Sequence, residues 1–289
     1  MPIHDRSSTL VSMNTSSTAK RVQVLSALAE GNSIRSTVRM TGVAKNTIVK
    51  MLATVGEWCA KFQHDAMKNL TGKTWQVDEI WSFVYSKAKN VPASMQGEFG
   101  VGDVWTFTAI DADSKLIPTW LVGSRDTCTA TAFLTDLASR LANRVQLTTD
   151  GHKMYLNATE AAFGGDIDYS MLVKMYTKSG DAESKYSPGE CCGAKKTSIV
   201  GHPDRELVST SYVERANLTM RMRMRRFTRL TNAHSKKLEN HEHALSFFFM
   251  HYNFIHIHET IRMTPAMKAK VTDHKWSLEE LVEKIYNSN

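Results

Sequence analysis

The sequence predicts an α/β protein, a mixed sheet flanked by helices and preceded by a small all-α head. Three observations predict it: helical spacing of apolar residues between residues 20 and 61, a βββαβαβ order of periodic segments between residues 74 and 175, and a return to helical stripes after residue 204. A chain of 289 residues exceeds one small module, and its length gives a prior of about two domains.

Residues 1–18, MPIHDRSSTLVSMNTSST, are polar and carry no apolar run of signal-peptide length, so they read as a flexible tail. Val22, Leu25, Leu28 and Ala29 then recur at helical spacing and stop at Gly31. Ser33 is placed to cap a short helix carrying Ile34 and Val38, which Gly42 breaks. A third helix follows, with Ile48, Leu52, Val55 and Cys59 on one stripe and Lys45, Asn46, Thr47 and Lys50 at its polar start. A short helix, a glycine turn and a second helix form a helix-turn-helix pattern over residues 19–65, whose last helix could enter a DNA major groove with those four residues. A plain three-helix bundle with a solvated basic face fits the same spacing. The segment from Lys20 to Lys61 holds seven basic residues and two acidic ones.

After Gly72 three runs rich in Trp, Phe, Val, Ile and Thr, at 74–84, 104–110 and 116–122, follow one another through short turns, as in an antiparallel meander. Ala130, Phe133, Leu134, Leu137 and Leu141 mark a helix; residues 145–149 form a strand that ends at Asp150 and Gly151; a helix at 155–162 and a strand at 167–175 complete the order. Residues 177–204 are rich in Gly, Ser, Lys and Pro without a strand or helix period and read as a loop insertion in a body spanning 72–267. Leu245, Phe248, Phe249, Tyr252 and Ile255 make a helical stripe, Thr264 and Pro265 start a short helix, and Ser277 with Glu280 forms a capping box for a C-terminal helix within 268–289.

Composition excludes several classes. Hydrophobic residues at 42% and charged residues at 22% are ordinary globular usage, and no apolar run approaches a membrane span, so no membrane partner is expected. The four cysteines show no CxxC spacing, which fits a reducing cytoplasm better than a disulfide framework. His241, His243, His251, His256 and His258 do not follow a zinc-site spacing. A net charge of +7 favours an anionic partner.

Three carboxylates stand out. Asp78, with Glu79 beside it, interrupts a segment otherwise suited to a buried strand, where ionised groups need a cation, a hydrogen-bond network or a metal. Asp150 sits at a strand end, at the rim where open sheets present ligand sites. Glu214 is an isolated acid ahead of eight basic residues between Arg215 and Lys237. Hard carboxylate oxygens suit Mg²⁺, and two such ions held by shared carboxylates serve phosphodiester chemistry. Plainer readings stand beside this one: Asp78 or Glu79 paired with a buried Arg, Asp150 in an Asx turn or a helix cap, Glu214 as surface charge. On a helix, Asn217, Arg221 and Arg225 would line up one turn apart as a ridge for consecutive phosphates.

The strings VDEIWSFV, GDVWTFTAIDADSKLIPTWLVG, LTTDGHKMY, SYVERANLTMRMRMRRFTRLTNAHSKK and HYNFIHIHETIRMTPAM, in that order across residues 74 to 267, resemble the bacterial DDE transposases of the insertion sequence one family. The resemblance implies a ribonuclease H-like catalytic core in which Asp78, Asp150 and Glu214 are the catalytic and metal-binding acids. It implies two Mg²⁺ ions, with Mn²⁺ able to substitute, and DNA contacts from Arg215 and Asn217. The implied reaction is cleavage at the ends of a mobile element followed by strand transfer into target DNA. The implied partners are double-stranded DNA and a second copy of the chain, at least a dimer on DNA, in a bacterial cytoplasm at the nucleoid. The N-terminal zinc-binding cysteine cluster of many relatives has no counterpart here, and His256 stands where the pattern has an arginine. Rival readings are a helix-turn-helix regulator, a ribonuclease H-like nuclease that stops at hydrolysis, and an inactive transposase copy.

Overall fold

The computed structural model describes residues 16–176, 191–228 and 231–287. Residues 1–15 of the expected tail and 177–190 of the expected loop lie outside the described residues.

The head is three helices, α1 (Thr18–Ala29), α2 (Ile34–Thr41) and α3 (Lys45–Ala66). Each start has a local cause. Ser17 Oγ accepts from Lys20 N and Ser33 Oγ from Ser36 N, which supplies acceptors for amides that a helix start leaves unpaired. Gly42 ends α2 at φ 71°, a left-handed conformation that most side chains resist. α3 begins without a side-chain cap, and Lys45, Asn46 and Thr47 are exposed at its start.

The body is one mixed sheet of six strands in the order β3-β2-β1-β4-β5-β6. β1 (Thr74–Val84), β2 (Gly102–Asp111) and β3 (Trp120–Gly123) are antiparallel neighbours. β4 (Gln146–Asp150) returns parallel to β1 after α4 (Thr127–Arg140), and β5 (Asp168–Tyr176) parallel to β4 after α5 (Met154–Phe163). The third run is shorter than its composition predicts, because Leu116 and Ile117 are buried in the connection ahead of β3. Part of the expected loop is ordered: Cys191–Val200 form β6, antiparallel to β5. The strand escapes a period-two reading because it is an edge strand with no buried residue, so neither face is constrained to be apolar.

Alternate residues of β1 face alternate helix layers. Glu79 lies on the side of α4 and α5, where Phe107 of β2 meets Phe133 and Tyr155. Asp78 faces α6 (Ser211–Arg223) and α7 (Leu238–Met250), and Phe249 of α7 stacks on Trp120 at 4.5 Å. α3 lies across α7 so closely that a Cβ on Gly56 would sit 2.5 Å from the backbone of His243. Gln63 of α3 also donates to the Ser246 carbonyl at 3.0 Å. The C-terminal end of α3 is closed by Arg140 of α4, which donates to the carbonyls of His64 and Met67 while pairing with Asp136. A π-helical turn at His251–Ile255 follows α7, and its Asn253 both accepts from Ile117 N and donates to Ile117 O. A short α8 (Pro265–Lys268), capped by Thr264, and α9 (Leu278–Tyr286), capped by Ser277, finish the chain; Arg21 of α1 lies over the Tyr286 ring at 3.8 Å. Head, sheet and C-terminal helices share one continuous hydrophobic core. Among the described residues no helix is long and apolar enough to cross a membrane.

His241 of α7 is fully buried, 3.4 Å from Ser82 Oγ and against the Phe227 ring. Burial first, and then the Arg226 charge, pull its pKa down to about 3. Above about pH 6.5 neither folded nor unfolded chain protonates it. As pH falls below that value the unfolded state gains a proton that the native state refuses until about 3. Stability should therefore fall as pH drops through this window, by up to about 1.4 kcal/mol per pH unit from this one group. Urea unfolding at pH 7 and pH 4.5 should show a smaller acid loss in His241→Gln than in the parent; equal losses would acquit the residue.

Candidate active site

The site forms where β1 and β4 part. Their last paired residues are Val77 and Thr149, so Asp78 and the terminal Asp150 emerge side by side at the C-terminal end of a parallel pair. Gly151 lets the chain turn away there, since a Cβ at that position would lie 2.6 Å from the Val173 side chain of β5. Asp78, Glu79 and Asp150 each offer a carboxylate oxygen, and these oxygens lie within 4.8 Å of one another.

Each acid has its own surroundings. Asp78 is half-buried, and Asn217 Nδ2 of α6 donates to its Oδ2 at 2.8 Å. Burial, then the charges of Glu79 and Asp150, raise its pKa to about 7. Glu79 is buried; Tyr155 donates its hydroxyl to Oε2 at 2.6 Å, and Arg125, in the turn before α4, donates Nε and Nη2 to Oε1, both at 2.6 Å. Its pKa is raised by burial against the lowering effect of Tyr155. Arg125 also reaches to 3.9 Å from Asp150 Oδ2 and lies over the Trp105 ring at 4.5 Å, which holds the guanidinium at the rim. Asp150 Oδ1 accepts from His152 N at 2.9 Å in an Asx turn, and its Oδ2 is the oxygen nearest Arg125.

α6 is held over this cluster by β1 itself. Thr210 gives the helix no side-chain cap; Gln76 Oε1, two residues before Asp78, instead accepts from Tyr212 N and Val213 N at 2.8 and 3.2 Å. This contact sets Glu214 and Asn217, one turn apart, on the Asp78 side. Glu214 adds its charge to those acting on Asp78, yet it stands outside the tight cluster. Its carboxylate is engaged by Lys174 of β5 and by the Thr210 hydroxyl at 2.6 Å.

Of the three acids expected from the sequence, Asp78 and Asp150 therefore come together directly, Glu79 joins them, and Glu214 lies on the adjoining helix with a lysine partner. The plainer expectations are also met in part: Glu79 pairs with an arginine and Asp150 makes an Asx turn. The expected phosphate ridge on α6 needs correction. The helix ends at Arg223 because Met224 leaves helical geometry (φ −121°, ψ 107°), and it and Phe227 turn into the core. Arg225 falls in the following 3-10 turn, out of line with Arg221. Asn217 is buried and committed to Asp78, so it adds no surface to that ridge. Arg215, Lys45, Asn46, Thr47 and Lys50 are exposed. Sequence reasoning missed Gln76, Arg125, Tyr155 and Lys174; only Gln76 carried a local signal, a polar residue within a buried strand.

No family model matches the chain, and no curated protein matches it. Among solved structures, a simian T-cell lymphotropic virus intasome in complex with PP2A regulatory subunit B56 gamma is 12% identical, with 85% of this chain and 72% of that chain covered, at a TM-score of 0.37. A piggyBac transposase synaptic complex with hairpin DNA is 10% identical, with 94% and 70% covered, also at 0.37.

Removing Arg125 leaves Glu79 buried with one partner fewer. Arg125→Gln should cost about 1–3 kcal/mol, less than a fully buried pair because the guanidinium is partly exposed. The double variant Arg125→Gln/Glu79→Gln should recover much of the loss. Thermal unfolding of the single and double variants measures the coupling, and purely additive losses would remove the pair from the architecture of the site.

Proposed function

We propose that the chain is a DDE-type DNA transposase resembling the insertion sequence one family, with Asp78, Asp150 and Glu214 as its catalytic acids on a ribonuclease H-like body. One observation carries the reading: Asp78 and Asp150, from separate strands, place carboxylate oxygens within 4.8 Å at the end of the central parallel pair. The helix bearing Glu214 is bonded to that same strand through Gln76.

The residues fit Mg²⁺. The donors are hard oxygens, and those of Asp78, Glu79 and Asp150 lie within 4.8 Å of one another. Asp78 and Asp150 would hold two ions, with Glu214 contributing from α6, and Mn²⁺ could replace Mg²⁺. When bound, such ions favour attack by a hydroxyl oxygen on a phosphodiester and ease departure of the leaving oxygen. The protein's own groups do the positioning. Asn217 fixes the Asp78 carboxylate by donating to Oδ2. Tyr155 and Arg125 donate to Glu79 behind it and favour its ionised form against the cost of burial. Lys174, beside Glu214, supplies a cation next to an incoming phosphate.

In this reading the exposed start of α3, with Lys45, Asn46, Thr47 and Lys50, recognises element ends as a helix-turn-helix, Arg215 contacts DNA beside the site, and two copies of the chain bring two ends together before strand transfer.

Asp150→Asn should abolish Mg²⁺-dependent cleavage of end DNA while binding changes by less than about twofold; retained turnover would remove Asp150 from the chemistry. Products joined to target DNA would mark a transposase, and nicked products alone a nuclease. Lys45→Ala/Asn46→Ala should weaken binding to element ends by tenfold or more, with a smaller loss on random duplex; equal losses on both would refute a reading head.

A further inference from the structure

A cavity of about 670 Å³ opens between the head helices and the chain that follows α6. Six cations line it: Arg35 of α2, Lys45 at the start of α3, Arg223 at the end of α6, Arg225 and Arg226 just beyond, and Lys236. No acidic residue lines it, and none of the six forms an ion pair among the described residues.

The deeper cations are poorly compensated. Arg226 Nε donates to the Ser235 hydroxyl at 2.7 Å, and burial pulls its pKa down to about 10, the mark of a guanidinium held out of water without a counter-charge. Arg223 Nη1 and His234 Nδ1, also on the cavity wall, are buried with no hydrogen-bond partner. Burying cations and unmet polar atoms in this way is costly in the free protein. Aliphatic and aromatic side chains, Leu28, Leu52, Phe247 and Phe248 among them, complete the wall.

We infer that this cleft binds the phosphate backbone of the DNA duplex that the start of α3 contacts. The inference rests on the DNA reading above and adds to it a second, body-borne set of phosphate contacts. Three features favour a nucleic acid backbone over a small polyphosphate. Six cations distributed over two parts of the fold match successive phosphates better than one compact group. Lys45 belongs both to the cleft and to the exposed turn that carries Asn46 and Thr47, so the two surfaces are continuous. The apolar wall suits deoxyribose faces. Arg223 is on the same helix as Glu214 and Asn217, so a backbone seated here bears directly on the element that carries those side chains.

The test uses the full chain, a 30-bp random-sequence duplex and, as a small polyphosphate probe, ATP. Arg35→Gln/Lys236→Gln alters two exposed rim residues. It should lower the slope of log affinity against log salt by about 1.8, at about 0.9 per lost phosphate contact, and leave Tm unchanged. Arg226→Gln should weaken duplex binding at least threefold while Tm holds or rises, since a partly buried charge without a counter-charge is removed; a lower Tm with unchanged affinity would make Arg226 structural and overturn its role. An unchanged salt slope in the rim variant, or no duplex binding by the parent protein, overturns the cleft. So does loss of ATP binding with an unchanged duplex slope, which would assign the cleft to a free polyphosphate. The catalytic reading fails separately: absent Mg²⁺-dependent cleavage beside a reduced salt slope would sink the enzyme and leave the cleft standing.

Discussion

Two carboxylates at consecutive positions of a central strand govern this structure. Because neighbours on a strand point to opposite faces, Asp78 and Glu79 place a charge-bearing group in each of the two helix layers. Neither layer can close over such a group without supplying donors. On one side Asn217 of α6 supplies them, and on the other Tyr155 of α5 and Arg125 before α4. These contacts orient the helices around the acids in addition to apolar packing, and Gln76 of the same strand fixes the start of α6.

The charge of the molecule is divided accordingly. The end of the parallel pair concentrates acids, each within reach of an internal cation or donor: Arg125 beside Glu79 and Asp150, Lys174 on Glu214. Across α6 the balance reverses, with arginines and lysines around a cavity that no acid lines among the described residues. Gathered carboxylates offer the hard oxygen donors that divalent cations take, and a cleft lined by cations suits phosphates.

The coupling of head to body has a specific cause. α3 is long enough that its first residues, Lys45, Asn46 and Thr47, are exposed while its later turns are buried against α7, where Gly56 permits near contact of the two backbones. Near its far end Gln63 donates to the Ser246 carbonyl of α7, and Arg140 of α4 donates to the Met67 carbonyl. Anything that grips the start of α3 therefore acts on a helix anchored in the same core as the carboxylate site.

Local periodicity by itself determined the order of strands and helices from β1 to β5, the caps at Ser33, Gly42, Thr264 and Ser277, and the prominence of Asp78, Asp150 and Glu214 as acids in unfavourable or isolated settings. β6 was illegible because an edge strand without a buried face imposes no alternation, and the break at Met224 because a helical stripe persists in sequence after the chain has turned inward. Tertiary structure alone decided that Glu79 joins Asp78 and Asp150, that Lys174 holds Glu214, that Asn217 serves Asp78, and that cations from α2, α3 and the segment after α6 surround one cavity. Each of these is a contact between residues far apart in sequence, and the energy of a charge depends on what surrounds it in space, which no spacing along the chain encodes.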